Sequence, residues 1–111
     1  MPSNAGIQNP SLIDLVTVNN QAGDVRLIMI QMEPWDNSDR QIDQLQAKAE
    51  TYVSFVEGGQ LARTYPEVAG QPVTIQLDAQ AEPTGRTADA IARLREALQK
   101  RGINFEVNRL P

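Results

Sequence analysis

Four carboxylates of this sequence are candidates for metal binding or acid–base catalysis. Glu33, Asp36, Asp78 and Glu82 lie near the ends of two predicted strands, where an open α/β sheet forms its ligand crevice. A pair of them could bind Mg²⁺ or act as general acid and base. Asp36 also lies at a predicted helix start, and Asp78 belongs to the polar face of its strand. We therefore expect structural roles for them, with no metal and no cofactor.

Two residue types that are common in catalysis, cysteine and histidine, are missing. The sequence has no cysteine and no histidine, which removes thiolate nucleophiles, imidazole bases and the usual zinc ligands. Gly58 and Gly59 follow a predicted helix instead of preceding one, so they are not a phosphate-binding loop. These residue types favour a protein without catalytic activity, and a carboxylate- or metal-assisted hydrolase is the enzyme alternative.

Three more residues are candidates for a contact or ligand site. Trp35, the only tryptophan, stands between Pro34 and a predicted helix start. If buried, it anchors this turn through its indole N–H, and if exposed, it marks a contact site. Arg63 and Tyr65 lie beside Pro66, where we expect them to hold a connector in place.

The main helix is predicted within the segment from Trp35 to Pro66. Ser38 and Gln41 have the spacing of a capping box, and Gly58 with Gly59 supplies a C-terminal stop. The apolar residues that recur at helical spacing are Ile42, Leu45, Ala49, Tyr52, Val53 and Val56. The residues expected to face solvent are Arg40, Asp43, Lys48 and Glu50.

Four strands and a second helix complete the pattern. The predicted strands are Leu12–Val18, Val25–Met32, Pro72–Gln80 and Ile103–Val107. The second helix starts at a Thr87 N-cap and ends at Gly102. Residues 1–11 are expected to form a flexible arm, and residues 12–111 a single domain. The predicted class is α+β: a two-layer sandwich of order ββαβαβ, with a four-stranded sheet and two helices on one face.

Net charge and hydropathy limit the classes of partner that we expect the protein to bind. The net charge is −4, and the pI of about 4.7 argues against a nucleic-acid partner. Residues 1–85 sum to −7 and residues 86–111 to +3, so an acidic partner for the basic helix is an alternative to internal balance. No apolar run reaches the ~18 residues of a membrane span, and no secretory signal is evident. We expect a cytoplasmic protein.

Several segments together resemble a known family. They are WDNSD at 35–39, QLQAK at 44–48, YVSFVEGGQL at 52–61, TYP at 64–66 and IQLDAQAEP at 75–83. The sequence from Leu12 to Val107 resembles a family of small uncharacterised bacterial proteins catalogued as a domain of unknown function. The resemblance implies no activity and no functional residues.

The first two strands predict self-association. They place apolar residues on both faces, and two helices on one side can cover only one set. The uncovered set, and hence the candidate dimer face, is Ile13, Leu15, Ile28, Ile30 and Met32. We expect a homodimer that acts through protein contacts, with binding of another protein, such as immunity-like inhibition of a basic toxin, as the alternative.

Overall fold

The computed structural model describes residues 6–7, 10–11, 13–19 and 24–110. Its elements in chain order are β1 (Leu15–Asn19), β2 (Asp24–Gln31), α1 (Asp39–Glu57), α2 (Gln60–Thr64), a 3₁₀ turn (Pro66–Val68), β3 (Val73–Ala79), α3 (Gly85–Gln99) and β4 (Ile103–Arg109). The predicted α+β class is confirmed, and the connector between α1 and β3 contains α2 and the 3₁₀ turn. Leu12, the predicted start of the first strand, lies outside the described residues.

The four strands form one mixed sheet in the order β1-β2-β3-β4. β1 pairs with β2 in the antiparallel sense, whereas β2, β3 and β4 are parallel neighbours. Parallel neighbours need a long crossover connection, and α1 and α3 supply the two crossovers. β1 and β4 are therefore the two edges of the sheet.

Alternate strand residues share one buried cluster with the two long helices. The strand members are Val25, Leu27, Met29, Val73, Ile75, Leu77, Ile103 and Phe105, and the helix members include Leu45, Ala49, Tyr52, Val53, Ile91 and Leu98. α1 and α3 also contact each other. The intervening residues include Arg26, Gln76, Asp78 and Glu106, which are half-buried or exposed and define what we call the polar face.

The ends of α1 follow the predicted capping chemistry. The Ser38 hydroxyl accepts a hydrogen bond from the Gln41 backbone N–H at 3.1 Å. After Glu57, Gly58 is the C-cap, and Gly59 has a φ of 84° that favours glycine. None of the helices in the described ranges has the length and apolar content needed to cross a bilayer.

The start of α3 differs from the prediction. The N-cap is Thr84, and Thr87 lies inside the first turn, where it is buried. The Thr87 backbone N–H donates to the side-chain Oδ1 of Asn37 at 2.9 Å. The first turn thus finds its acceptor on the loop before α1, so the predicted local cap at Thr87 was wrong.

The prediction that Lys48 faces solvent was also wrong. Its side chain is completely buried, and Nζ donates to the Gly6 carbonyl at 2.8 Å. Ile7 is 1% exposed and belongs to the buried cluster. Gly6 and Ile7 thus contact α1 and the buried cluster, and the flexible arm over residues 1–11 stays a prediction.

Candidate functional site

The four candidate carboxylates do not converge on one site. Asp36 is exposed, and its Oδ1 accepts from the Ser38 backbone N–H at 2.9 Å. The hydrogen bonds from Ser38 lower the pKa of Asp36. Asp78 accepts from the Gln76 side-chain amide at 2.8 Å on the polar face, whereas Glu33 and Glu82 are exposed in separate loops. Within the described ranges, no three carboxylates are grouped so that they could hold a metal ion.

Trp35 joins the loops that follow β2 and β3. Its indole Nε1 donates to the Ala81 carbonyl at 2.9 Å, and its half-buried ring packs against the core. Trp35 thus anchors this turn through its indole N–H, which is the first of the two alternatives that the sequence leaves open for it. It also brings Trp35 next to the loop that contains Glu82, and it leaves the indole N–H engaged within the protein.

Arg63 and Tyr65 lie in the connector between α1 and β3. The Arg63 guanidinium donates to the Gly58 carbonyl at 3.3 Å, and the half-buried Tyr65 packs against the core. Both residues contact the end of α1 or the core around it. The structure therefore places them in a part of the molecule separate from the carboxylates.

A buried polar cluster was not found by sequence reasoning. Lys48 Nζ lies 2.6 Å from Asp14 Oδ1, and both side chains are 0% exposed. The second oxygen, Asp14 Oδ2, accepts from the backbone N–H groups of Gly6 and Ile30, each at 3.0 Å. The Tyr52 hydroxyl accepts from the Asp14 N–H at 2.9 Å and donates to the Ile28 carbonyl at 2.8 Å.

The cluster around Asp14 and Lys48 joins the N-terminal segment, β2 and α1. Nζ of Lys48 also lies 5.8 Å from the Tyr52 ring centre, within cation–π range. Burial raises the pKa of Tyr52 well above its usual range. The signal available in the sequence was one carboxylate, Asp14, between the apolar residues Ile13 and Leu15. The arrangement is closed and internally bonded, which indicates a structural role.

The polar face of the sheet holds a second ion-pair cluster. Arg26 lies 2.6 Å from Glu106 and 3.0 Å from Asp24, and it donates to the Gln76 side chain at 2.9 Å. The hydrogen bond to Glu106 raises the pKa of Arg26 above its usual value. This network crosses β2, β3 and β4. The polar face is therefore covered by its own hydrogen-bonded side chains along most of its width.

The five residues of the candidate dimer face have different environments. Leu15 and Met32 are the exposed large hydrophobic residues of the described chain, at 46% and 62% exposed. Ile30 is half-buried, and Ile28, the partner of Leu15 in the β1–β2 register, is 8% exposed. Ile13 packs against the core cluster instead. Leu15 and Met32 are thus the exposed members of the set, whereas Ile28 is buried.

A groove lies between α3 and the edge strand β4. Its volume is about 520 Å³, within the usual range for ligand pockets. The helix contributes Ala88, Ile91, Ala92 and Arg95, which share one helical face, and the strand contributes Val107 and Arg109. Glu82 lines the groove from the loop before α3. None of the earlier candidates except Glu82 is among these residues.

Comparisons with known proteins give one match. No curated protein and no solved structure matches the chain. The sequence pattern of a family of unknown function, DUF6572, matches residues 5–110 of the 111-residue chain. The match includes the N-terminal segment around Gly6 and Ile7, the buried Asp14 and Lys48, and the α3–β4 groove. The chain therefore belongs to this family of unknown function.

Proposed function

We propose that the protein acts by binding other protein chains, without catalysis, and that its first partner is a second copy of itself. The observation that supports this function is the pair of exposed apolar side chains, Leu15 and Met32, on the β1–β2 hairpin. Exposed apolar surface at one place on a small domain is typical of contact sites. The missing cysteine and histidine support a role without catalysis, and they fit the expected cytoplasmic location.

Leu15 has apolar neighbours on the same side of the hairpin. Leu15 and Ile28 are register partners, and Ile30 lies two residues further along β2 on the same side. Met32 follows β2 directly. A two-fold axis would bring this patch onto its own copy, which is the commonest way for a soluble protein to cover an exposed surface.

The position of β1 also favours self-association. β1 is an edge strand of five residues, and edge strands present unpaired backbone groups that can pair with another chain. The network around Arg26 covers the middle of the polar face. The proposed contact is therefore centred on the β1 edge and excludes Ile13, which packs into the core.

Sedimentation equilibrium at micromolar concentration tests the proposal. We expect a mass near twice the 12.2 kDa of one chain. Leu15→Glu and Met32→Glu should each weaken the dimer by roughly tenfold or more, because each places a charge in an apolar contact. Ile28 is unsuitable for this test because it is largely buried, so that a charge there would unfold the domain.

Ala69→Glu is the matched control, since it adds the same charge at an exposed residue of the connector. It should leave the mass unchanged. A mass of one chain for the unmodified protein would reject the dimer. Equal weakening by Ala69→Glu would show that net charge, and not the hairpin, governs association.

A further inference from the structure

We propose that the α3–β4 groove binds an extended, acidic peptide segment of a partner protein, which adds to the sheet beside β4. The site is separate from the hairpin, because β1 and β4 are opposite edges of the sheet. It would serve a second partner whether or not the protein dimerises. The groove, the open edge of β4 and the positive charge of Arg95 and Arg109 each support this inference.

The backbone of β4 gives the first argument. β4 pairs with β3 on one side, and no other described strand pairs with its second side. The Phe105 carbonyl accepts a hydrogen bond from Arg95 Nε at 3.2 Å. The stretch from Val107 to Arg109 follows this contact. Peptides that add to a sheet edge gain affinity from such backbone groups and specificity from neighbouring side-chain pockets.

The side of α3 next to this edge gives the second argument. Ala88 and Ala92 are small, so the helix leaves space above β4 at these two turns. Ile91 and Val107 form an apolar floor, with Ile91 4% exposed and Val107 half-buried. One apolar side chain of a bound strand would fit above this floor.

Charge gives the third argument. Three of the six basic residues in positions 86–111 form ion pairs: Arg86 with Asp39, Lys100 with Glu96, and Arg101 with Glu57. In the part of the chain that the structure describes, Arg95 and Arg109 have no carboxylate within ion-pair distance. Both line the groove. Two guanidinium groups without a carboxylate partner make the groove complementary to an acidic ligand.

The spacing of these residues specifies the ligand. Phe105, Val107 and Arg109 alternate along β4, and Arg95 bonds the backbone at the Phe105 end. The order along the groove is therefore a cation, an apolar side chain and a second cation. Successive groups are about 6.6 Å apart, which is the spacing of alternate strand residues. The matching segment has an apolar residue between two acidic residues, all at alternate positions. A shift by one position would place the acids on the opposite face, beside Glu106.

Two labelled peptides of about eight residues, a typical strand length, test the inference on the full-length protein. In the first, glutamate, valine and glutamate stand at alternate positions among threonines. In the second, of the same composition, both glutamates directly flank the valine. We expect saturable binding of the first peptide in fluorescence anisotropy, and binding of the second that is weaker by roughly tenfold. Amide chemical shifts should change at Val107–Arg109 and along the groove side of α3.

The variants separate a specific site from general attraction. Arg109→Glu should weaken binding of the first peptide by roughly twofold to fivefold, within the range for exposed charge pairs. Glu82→Gln should strengthen it, because this carboxylate faces the same ligand. Arg93→Glu is the matched control, since Arg93 is exposed on α3 and does not line the groove.

Three results would overturn the proposal. They are no saturable binding of the first peptide at millimolar concentration, equal binding of both peptides, and equal weakening by Arg93→Glu and Arg109→Glu. Each can be told apart from failure of the hairpin dimer, because the sedimentation mass is measured on the same protein without peptide.

Discussion

Two ion-pair clusters contact β2, and they have the same closest N–O distance but very different burial. The closest N–O distance is 2.6 Å both for Lys48 with Asp14 and for Arg26 with Glu106. The first pair is 0% exposed on both side chains, whereas the second is 32% and 47% exposed. Water screens the exposed pair, and it cannot replace a lost partner of the buried one. Equal distances therefore do not imply equal contributions to stability.

The largest effect is expected at the buried pair. Lys48→Met leaves the Asp14 carboxylate buried without its cation, which should lower the free energy of unfolding by about 3–5 kcal/mol. The double variant Lys48→Met with Asp14→Asn removes both charges and should recover part of this loss. Chemical denaturation measures each value. A loss below about 1 kcal/mol in the single variant would contradict the buried ion pair shown by the structure.

A smaller effect is expected at the hydroxyl group that contacts this pair. Tyr52→Phe removes the hydroxyl that accepts from the Asp14 N–H and donates to the Ile28 carbonyl, at a cost of about 1–3 kcal/mol in unfolding free energy. Tyr65→Phe is the matched control because it alters the only other tyrosine. Equal losses of unfolding free energy in the two variants would show that the Tyr52 hydroxyl contributes no more to stability than the Tyr65 hydroxyl.

The same residue predicts a pH dependence. Because the pKa of Tyr52 is raised in the folded protein, the unfolded chain loses this proton first as the pH rises. The stability due to Tyr52 is complete below its ordinary pKa of about 10 and decreases above it. Chemical denaturation should show that the unfolding free energy decreases less between about pH 9 and about pH 11 in Tyr52→Phe than in the unmodified protein. The control variant Tyr65→Phe should diminish this pH-dependent loss of unfolding free energy less than Tyr52→Phe does.

The smallest effect is expected at the exposed pair. Arg26→Gln should lower the unfolding free energy by less than about 1 kcal/mol, because the pair is exposed and screened. Added salt should reduce the difference between Arg26→Gln and the unmodified protein, and it should change the effect of Lys48→Met much less. A loss at Arg26 equal to that at Lys48 would show that burial does not distinguish the two clusters.

Local patterns in the sequence were sufficient for most of the elements. The apolar spacing of Leu45, Ala49 and Tyr52 predicted the buried side of α1, because a helix returns to the same face every three to four residues. The Ser38 cap and the glycine stop are also local, since their hydrogen bonds and backbone angles involve neighbouring residues. The strand predicted at Pro72–Gln80 contains the observed β3, Val73–Ala79.

The remaining features depend on residues that are far apart in the sequence. The sequence pattern predicts that Lys48 faces solvent, because its partners, Gly6 and Asp14, are 42 and 34 positions away. It predicts a cap at Thr87, because the acceptor on Asn37, 50 positions away, has no local signal. The α3–β4 groove likewise combines two elements that only folding brings together. Helices and strands are readable from the chain because short-range periodicity encodes them. Which charges are buried and which sheet edges stay open depends on contacts between distant segments, so these features appear only in the folded molecule.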